Sequence, residues 1–274
     1  MDVADIIKDS LKFSLDNPFI WAMMAVLFFI TSVLTVVSNN VGEVGQAIIL
    51  IINLIVEVIV MGYCLKLVRN QIDGSEVTTV NVVDLATNVV DDFINGIKLL
   101  IVNIVYFIIP TIIITILGYL SGSIDKICNS ILYVSDALAK AGASANVADV
   151  ISTMPADMMT NLLSSFVFIA VVGVVLLVVF GLLDAIACAK LAETGDVLAS
   201  LNFIDVAHKI GDIGVVKYFV FIVLLAVMLV ILALVSGIVE MIPGVGSILA
   251  ATIVTSFTSV FTYVAIGKLY ADAY

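Results

Sequence analysis

One carboxylate interrupts an apolar stretch that is otherwise free of charge: Glu57 follows Asn53 by one helical turn. An ionisable side chain is costly inside a bilayer, so a functional role is the first hypothesis for such a residue. In that role Glu57 helps to carry an ion or a proton. The alternative is a neutral Glu57 that is hydrogen-bonded to Asn53 or to Asn103 and so holds neighbouring helices together.

Hydroxyl side chains follow a helical spacing in the last apolar stretch. Thr255 and Ser259 belong to a run that also contains Thr252, Ser256 and Thr262. Small hydroxyl residues at spacings of this kind are typical of closely packed helices in membranes. A water-lined path along the same face is the alternative interpretation.

Carboxylates also recur in two polar segments that separate apolar stretches. They are Asp84, Asp91 and Asp92 in the first segment, and Asp205 and Asp212 in the second. A solvated acidic face is one interpretation of this pattern. The other is a surface that captures a cation or a basic protein partner, because opposite charges attract at short range.

The residues needed for metal binding or nucleophilic catalysis form no pattern. His208 is the only histidine, and Cys64, Cys128 and Cys188 are far apart in the sequence. A His/Cys metal site requires several such ligands, so none is predicted. With no Ser-His-Asp set either, we predict no catalytic residues, no cofactor and no enzymatic activity. The net charge of −11 argues against nucleic acid as a partner.

The elements that carry these residues must be membrane-spanning helices. Of the 274 residues, 63% are hydrophobic and 12% are charged, whereas a soluble domain is about one quarter charged. Six stretches reach the roughly 20 apolar residues that cross a hydrocarbon core, at 19–37, 47–65, 99–120, 162–183, 218–239 and 244–267. Each must be helical, because lipid offers no partner to unpaired backbone groups. The sequence therefore predicts an all-α bundle of six spans that forms one integral membrane domain over 1–274.

Three short matches in the same order indicate an internal repeat. They pair Cys64-Leu65-Lys66-Leu67 with Cys188-Ala189-Lys190-Leu191, Asn81 to Ala86 with Asn202 to Ala207, and Gly96 to Lys98 with Gly214 to Lys217. Spans two and three then form one hairpin, and spans four and five form a second hairpin that runs in the same direction. Such a parallel repeat predicts a pseudo-two-fold axis along the membrane normal.

Each hairpin is predicted to contain a short amphipathic helix after its polar loop. Asn81 is a good N-cap, and Asp84 at the third helical position suits the helix dipole. The second copy is shorter, with Asn202, Asp205, Lys209 and Asp212 on its polar side. Apolar and polar residues then fall on opposite sides at helical spacing. We expect both helices to lie in the cytoplasmic interface with the apolar side toward the lipid.

The distribution of Lys and Arg predicts the orientation. If the spans alternate, every Lys and Arg except Lys126 and Lys140 falls on one side, and positively charged loops stay in the cytoplasm. We therefore expect a multi-pass protein of the cell membrane with both termini in the cytoplasm. Lys66 and Arg69 are expected to snorkel into the headgroups, and 121–161 is expected to be an outside segment of short amphipathic helices.

Five stretches share their pattern with a known family. They are LKFSLDNP, GYCLKLVRNQIDG, NVVDLATNVVDDFINGIKLLIVNIVYFIIP, AKLAETGDVLASLNF and IPGVGSILAATIVTSFTSVFTYVAIGKLYADAY. Together they cover most of the chain, which resembles the domain of unknown function 4013 family of prokaryotic, largely archaeal, membrane proteins. The resemblance implies a multi-span membrane protein, and it supplies no established activity or catalytic residues.

Three classes of function fit these observations. The first is a non-enzymatic membrane component that sits in the lipid bilayer and docks a membrane protein or a basic cytoplasmic protein on its acidic face. The second is a transporter or channel for a small solute, ion or lipid, with Glu57 and the hydroxyls of the sixth span along the route. The third is an intramembrane enzyme, which ranks last because no reactive group of residues is visible.

Overall fold

The computed structural model describes residues 1–38, 40–74, 82–141 and 146–273, with the side chains of 82–87 left aside. All regular structure in these residues is helical, and no strand occurs among them. The all-α fold predicted from the sequence is confirmed.

Twelve helices follow one another along the described chain. They are α1 Val3–Asp16, α2 Pro18–Ser38, α3 Glu43–Ile72, α4 Val82–Leu120, α5 Ser123–Ala141, α6 Val147–Ser152, α7 Ala156–Thr194, α8 Val197–Ser200, α9 Phe203–Ile213, α10 Val215–Glu240, α11 Gly246–Leu249 and α12 Thr255–Ala271. A π-helical turn, Ala250–Val254, joins α11 to α12.

Six helices of the described residues are long and apolar enough to cross a membrane. They are Pro18–Ser38, Glu43–Ile72, Asn88–Leu120, Ala156–Thr194, Val215–Glu240 and Gly246–Ala271. The six predicted spans are confirmed as helices, with one shift at the last. That helix begins after the predicted residue 244 because Gly244 has a φ of 83° and belongs to the preceding turn.

The short helix predicted before the third span is not a separate element. Helix α4 runs without a break from Val82 to Leu120, whereas α9 and α10 are separate helices that meet at Gly214. Gly214 has a φ of 95°, which only glycine adopts readily and which ends the helical path. Gly96 keeps the helical conformation, so nothing interrupts the first copy.

Helix α9 begins with a side-chain cap. The side chain of Asn202 accepts a hydrogen bond from the backbone N–H of Asp205 at 3.4 Å. This interaction satisfies a free donor at the start of α9. Asn81, the predicted N-cap of the first copy, lies outside the described residues.

The chain divides into two compact units, Met1–Asn103 with Leu183–Tyr274, and Ile104–Leu182. In the first unit, α12 packs directly on α3 at Gly267, where a Cβ atom would lie 2.9 Å from the carbonyl oxygen of Val68. Buried residues of α2, α3 and α12 form a core there: Ile20, Met24, Val60, Tyr63, Cys64, Leu67, Val260 and Val264.

The second unit contains most of the segment expected outside the membrane. Within it, the hydroxyl of Tyr133 on α5 donates to the carbonyl oxygen of Thr153 at 3.2 Å. An apolar cavity of about 360 Å³ lies between α5, α6 and the start of α7, and its lining includes Val134, Met154 and Phe166. Helix α7 begins at Ala156 and continues directly into the fourth span.

Two glycines set the approach of α3 and α4 in the first unit. A Cβ atom on Gly62 would overlap the carbonyl oxygen of Asp92, and a Cβ atom on Gly96 would overlap the carbonyl oxygen of Val58. Each helix therefore places a glycine against the backbone of the other. Small residues at an interface allow this close backbone contact between membrane helices.

We expect Gly62→Ala and Gly96→Ala each to lower the free energy of unfolding by about 1–3 kcal/mol, because the added methyl group must push the helices apart. The matched control is Gly237→Ala on α10, where a Cβ atom meets nothing within 4 Å. Denaturant titration of the purified protein in detergent measures all three variants. An unfolding midpoint for Gly62→Ala no lower than that of Gly237→Ala contradicts the close contact.

Candidate functional site

Glu57 faces a polar cavity in the first unit. The cavity has a volume of about 330 Å³ and lies between α2, α3 and the start of the sixth helix. Its polar lining consists of Thr31, Ser32, Thr35, Asn53, Glu57 and Ser247. The carboxylate is exposed, and the described residues contribute no Lys, Arg or His to the lining.

The oxygen atoms around this cavity have spare capacity to accept hydrogen bonds. The Nδ2 of Asn53 donates to the hydroxyl of Thr35 at 3.3 Å, while the Oδ1 of Asn53 is buried without a partner among the described residues. Thr31 donates its proton to the carbonyl of Phe28 at 3.0 Å. Each hydroxyl oxygen therefore keeps acceptor lone pairs. Glu57 itself has no hydrogen-bond partner in the described part of the chain.

The hypothesis that Glu57 is hydrogen-bonded to Asn53 or Asn103 is wrong for this structure. Asn53 shares the cavity with Glu57 but bonds to Thr35. Asn103 lies elsewhere: with its amide nitrogen toward the acceptors, it donates to Oδ1 of Asp184 and to the carbonyl of Leu99, both at 3.2 Å. The polar pair that joins two spans is thus Asn103 and Asp184.

The π-helical turn lies beside the Glu57 cavity. Ala251 lines the cavity, and Thr252 next to it has a buried hydroxyl without a partner among the described residues. A π-helical turn contains one residue more than an α-helical turn, and such turns occur often at functional sites. The extra residue rotates the side chains that follow it around the helix axis.

The hydroxyl residues predicted as one face of the sixth span are divided in the structure. Thr252 and Ser256 are buried, whereas Thr255, Ser259 and Thr262 line a second cavity, of about 450 Å³, between α10 and α12. Ser259 donates to the carbonyl of Thr255 at 2.9 Å. The candidates Thr255 and Ser259 therefore do not share a cavity with Glu57.

The acidic residues do not form the single face that the sequence suggests. Asp92 is 2% exposed, while Asp91 and Asp212 are exposed. Asp205 accepts from Lys190 at 3.3 Å and from Asn202 at 2.8 Å. The side chain of Asp84 lies outside the described residues. The prediction of a shared acidic face is therefore wrong for Asp92. This residue is buried because α4 packs closely against α3 at Gly62.

Two cations that were not expected in the interior cap the end of α7. Arg69 Nε donates to the carbonyl oxygen of Ala192 at 2.6 Å, and Lys98 Nζ donates to that of Gly195 at 3.0 Å. Carbonyl groups at a helix C-terminus lack backbone partners and attract positive charge. Arg69 and Lys98 therefore each have a partner within the first unit, and snorkelling of Arg69 into the headgroups stays a prediction.

Sequence reasoning also missed the ionic contacts near the C-terminus. Asp272 accepts hydrogen bonds from Lys217 and, at 2.6 Å, from the α-ammonium of Met1. Burial by itself raises the pKa of Asp272. The two cations lower this pKa by more than burial raises it, so the pKa of Asp272 lies below its ordinary value. Tyr270 donates to Glu193 at 2.6 Å. No spacing in the sequence marks these pairs, because their partners come from distant segments.

Six apolar helices, with charged side chains concentrated at their ends, define a multi-pass membrane protein. The chain belongs to the family described as "Protein of unknown function (DUF4013)", whose model matches residues 46–241. The resemblance found in the sequence is confirmed. No curated protein and no solved structure matches the chain.

The pair formed by Asn103 and Asp184 is expected to stabilise the first unit. In a double-mutant cycle, Asn103→Leu and Asp184→Leu should show a coupling energy of about 0.5–1.5 kcal/mol, because each single variant already removes the hydrogen bond. The measurement is the free energy of unfolding in detergent.

The matched control is a cycle of Asn53→Leu with Asp184→Leu. Asn53 bonds to Thr35 and not to Asp184, so the two effects should add to within about 0.5 kcal/mol. Equal coupling energies in the two cycles contradict a specific bond between Asn103 and Asp184.

Proposed function

We propose that this chain is a non-enzymatic membrane protein that conducts a small cation across the membrane through the Glu57 cavity. The observation that carries the proposal is an exposed carboxylate that has no hydrogen-bond partner among the described residues and lies in a polar cavity between three apolar helices. A charged side chain in a spanning helix costs free energy, and such residues commonly line ion pathways. Permeation of a small cation gives Glu57 that role.

The chemistry of the lining favours a cation over an anion or an apolar solute. The carboxylate of Glu57, the Oδ1 of Asn53 and the hydroxyls of Thr31 and Thr35 are oxygen ligands. Hard cations bind to carboxylate, carbonyl and hydroxyl oxygens. Among the described residues, no cationic side chain lines the cavity to compete with the ion for Glu57.

The position of Glu57 along α3 also suits a permeation site. It lies near the middle of a 30-residue helix, about 21 Å from either end at a rise of about 1.5 Å per residue. Asn53 and Ser247 line the same cavity nearer to the expected outer end. A hydrated ion that enters from that side meets the carboxylate halfway across the span.

We also infer the parallel hairpin repeat with its pseudo-two-fold axis. Cys64 and Cys188 occupy equivalent positions in the two copies, and both thiols are buried. Burial of both equivalent residues is what a repeat with a two-fold axis near them predicts, and it supports the repeat. Both termini are then cytoplasmic, and α9 lies in the cytoplasmic interface.

Docking of a basic protein partner is the second candidate, and Asp91 and Asp212 favour it. Both carboxylates are exposed, and exposed charges steer the association of oppositely charged proteins. The candidate has less support than permeation, because Asp92 is buried and Asp205 is paired with Lys190.

The proposal is tested with purified protein in proteoliposomes, by the flux of H⁺, Na⁺, K⁺ and methylammonium. We expect the wild-type protein to conduct at least one of these ions, and Glu57→Gln to reduce that flux by about tenfold or more, because Gln keeps the shape but removes the charge that attracts the ion. The unfolding midpoint should change little.

Glu240→Gln is the matched control. Glu240 ends α10, lies outside the cavity and accepts a hydrogen bond from Ser236 at 3.3 Å. Its replacement should leave the flux unchanged. Wild-type vesicles no leakier than empty ones to all four cations contradict the proposal, and so does an equal loss of flux in Glu57→Gln and Glu240→Gln.

A further inference from the structure

A larger cavity, of about 540 Å³, lies between the second half of α3 and the start of α4. It shares no lining residue with the Glu57 cavity. Its volume is in the range of small-molecule sites, about 300–1,000 Å³. The lining combines acidic, basic and amide side chains, among them Lys66, Asn88, Asp91, Asp92 and Asn95.

Asp92 is the residue in this cavity that most needs a partner. Its side chain is 2% exposed, and its Oδ2 is buried without a hydrogen bond to any described residue. The close contact of its backbone carbonyl with Gly62 fixes its place against α3. A buried carboxylate is costly unless a donor satisfies it. The cavity is where such a donor can reach it.

The three cations of the lining differ in how far they are already used. Arg69 and Lys98 donate to the carbonyl oxygens of Ala192 and Gly195 at the end of α7. Lys66 lines the same cavity as Asp92 and makes no hydrogen bond to a described residue. All three cations keep N–H donors for an anion, and only those of Lys66 are entirely unused by the described residues.

We propose that this cavity binds a zwitterion that carries a primary ammonium group and an anionic phosphate or carboxylate group. The ammonium group donates to Oδ2 of Asp92, and the anionic group accepts from Lys66. Such hydrogen bonds between charged groups are the strong ones. A bare metal ion is disfavoured by three cations in the same lining, and a simple anion is disfavoured by Asp91 and Asp92.

The amide side chains suit the same ligand. Asn88 and Asn95 lie on α4 beside Asp92, and an amide offers both donors and an acceptor to groups between the two charges. Two sources supply this chemistry: the headgroup of an ethanolamine phospholipid, and a soluble zwitterion such as O-phosphoethanolamine. The experiment separates them.

The test uses the full chain, freed of lipid in a non-ionic detergent, and isothermal titration with O-phosphoethanolamine. Phosphocholine is the comparison ligand, because its quaternary ammonium has no N–H to donate to Asp92. We expect O-phosphoethanolamine to bind about tenfold more tightly than phosphocholine, the loss expected for one hydrogen bond between charged groups. A second arm compares lipid retention by native mass spectrometry in nanodiscs with phosphatidylethanolamine or phosphatidylcholine.

Two variants assign the two ends of the ligand. Asp92→Asn and Lys66→Met should each weaken binding by about tenfold or more, whereas the control Asp212→Asn, on α9 and outside the cavity, should bind like the wild type. Lys66→Met keeps the test valid if Asp92→Asn fails to fold.

Selective binding in either arm supports the site and names its source, soluble ligand or lipid headgroup. Equal binding of the ethanolamine and choline compounds in both arms overturns the proposal. So does binding that both Asp92→Asn and Lys66→Met leave unchanged.

Discussion

Lipid offers no hydrogen-bond partner, so each polar group within a span must find one inside the protein or in trapped water. The apolar helices satisfy their backbones by themselves. Asn103 and Asp184 satisfy each other across two spans, and the hydroxyls of the sixth helix donate to carbonyls of their own helix. Glu57 has no such partner in the described chain. Its exposure to a polar cavity is therefore the feature that the rest of the structure must explain.

Helix α3 connects the main features of the first unit. Gly62 lets α4 approach on one side, and α12 approaches α3 at Gly267 on another. The same helix carries Glu57 in one cavity and Lys66 in the other. Close backbone packing at these glycines holds α3 against its neighbours between the two cavities.

The spans were predictable because the length and apolarity of a helix are local properties of the chain. The partners of polar side chains were not, because they depend on which helices are neighbours and how each is rotated. Asn103 is therefore hydrogen-bonded to Asp184 and not to Glu57, and Asp92 is buried and not solvated.

Water access to position 57 is the most direct test of the central claim, that Glu57 faces a water-filled cavity. A spin label at Glu57→Cys, in a Cys128→Ser background, should relax with a water-soluble nickel reagent. A label at Leu54→Cys, one turn away on α3 and outside the cavity lining, should relax mainly with oxygen. If both positions respond only to oxygen, Glu57 faces lipid and the account is contradicted.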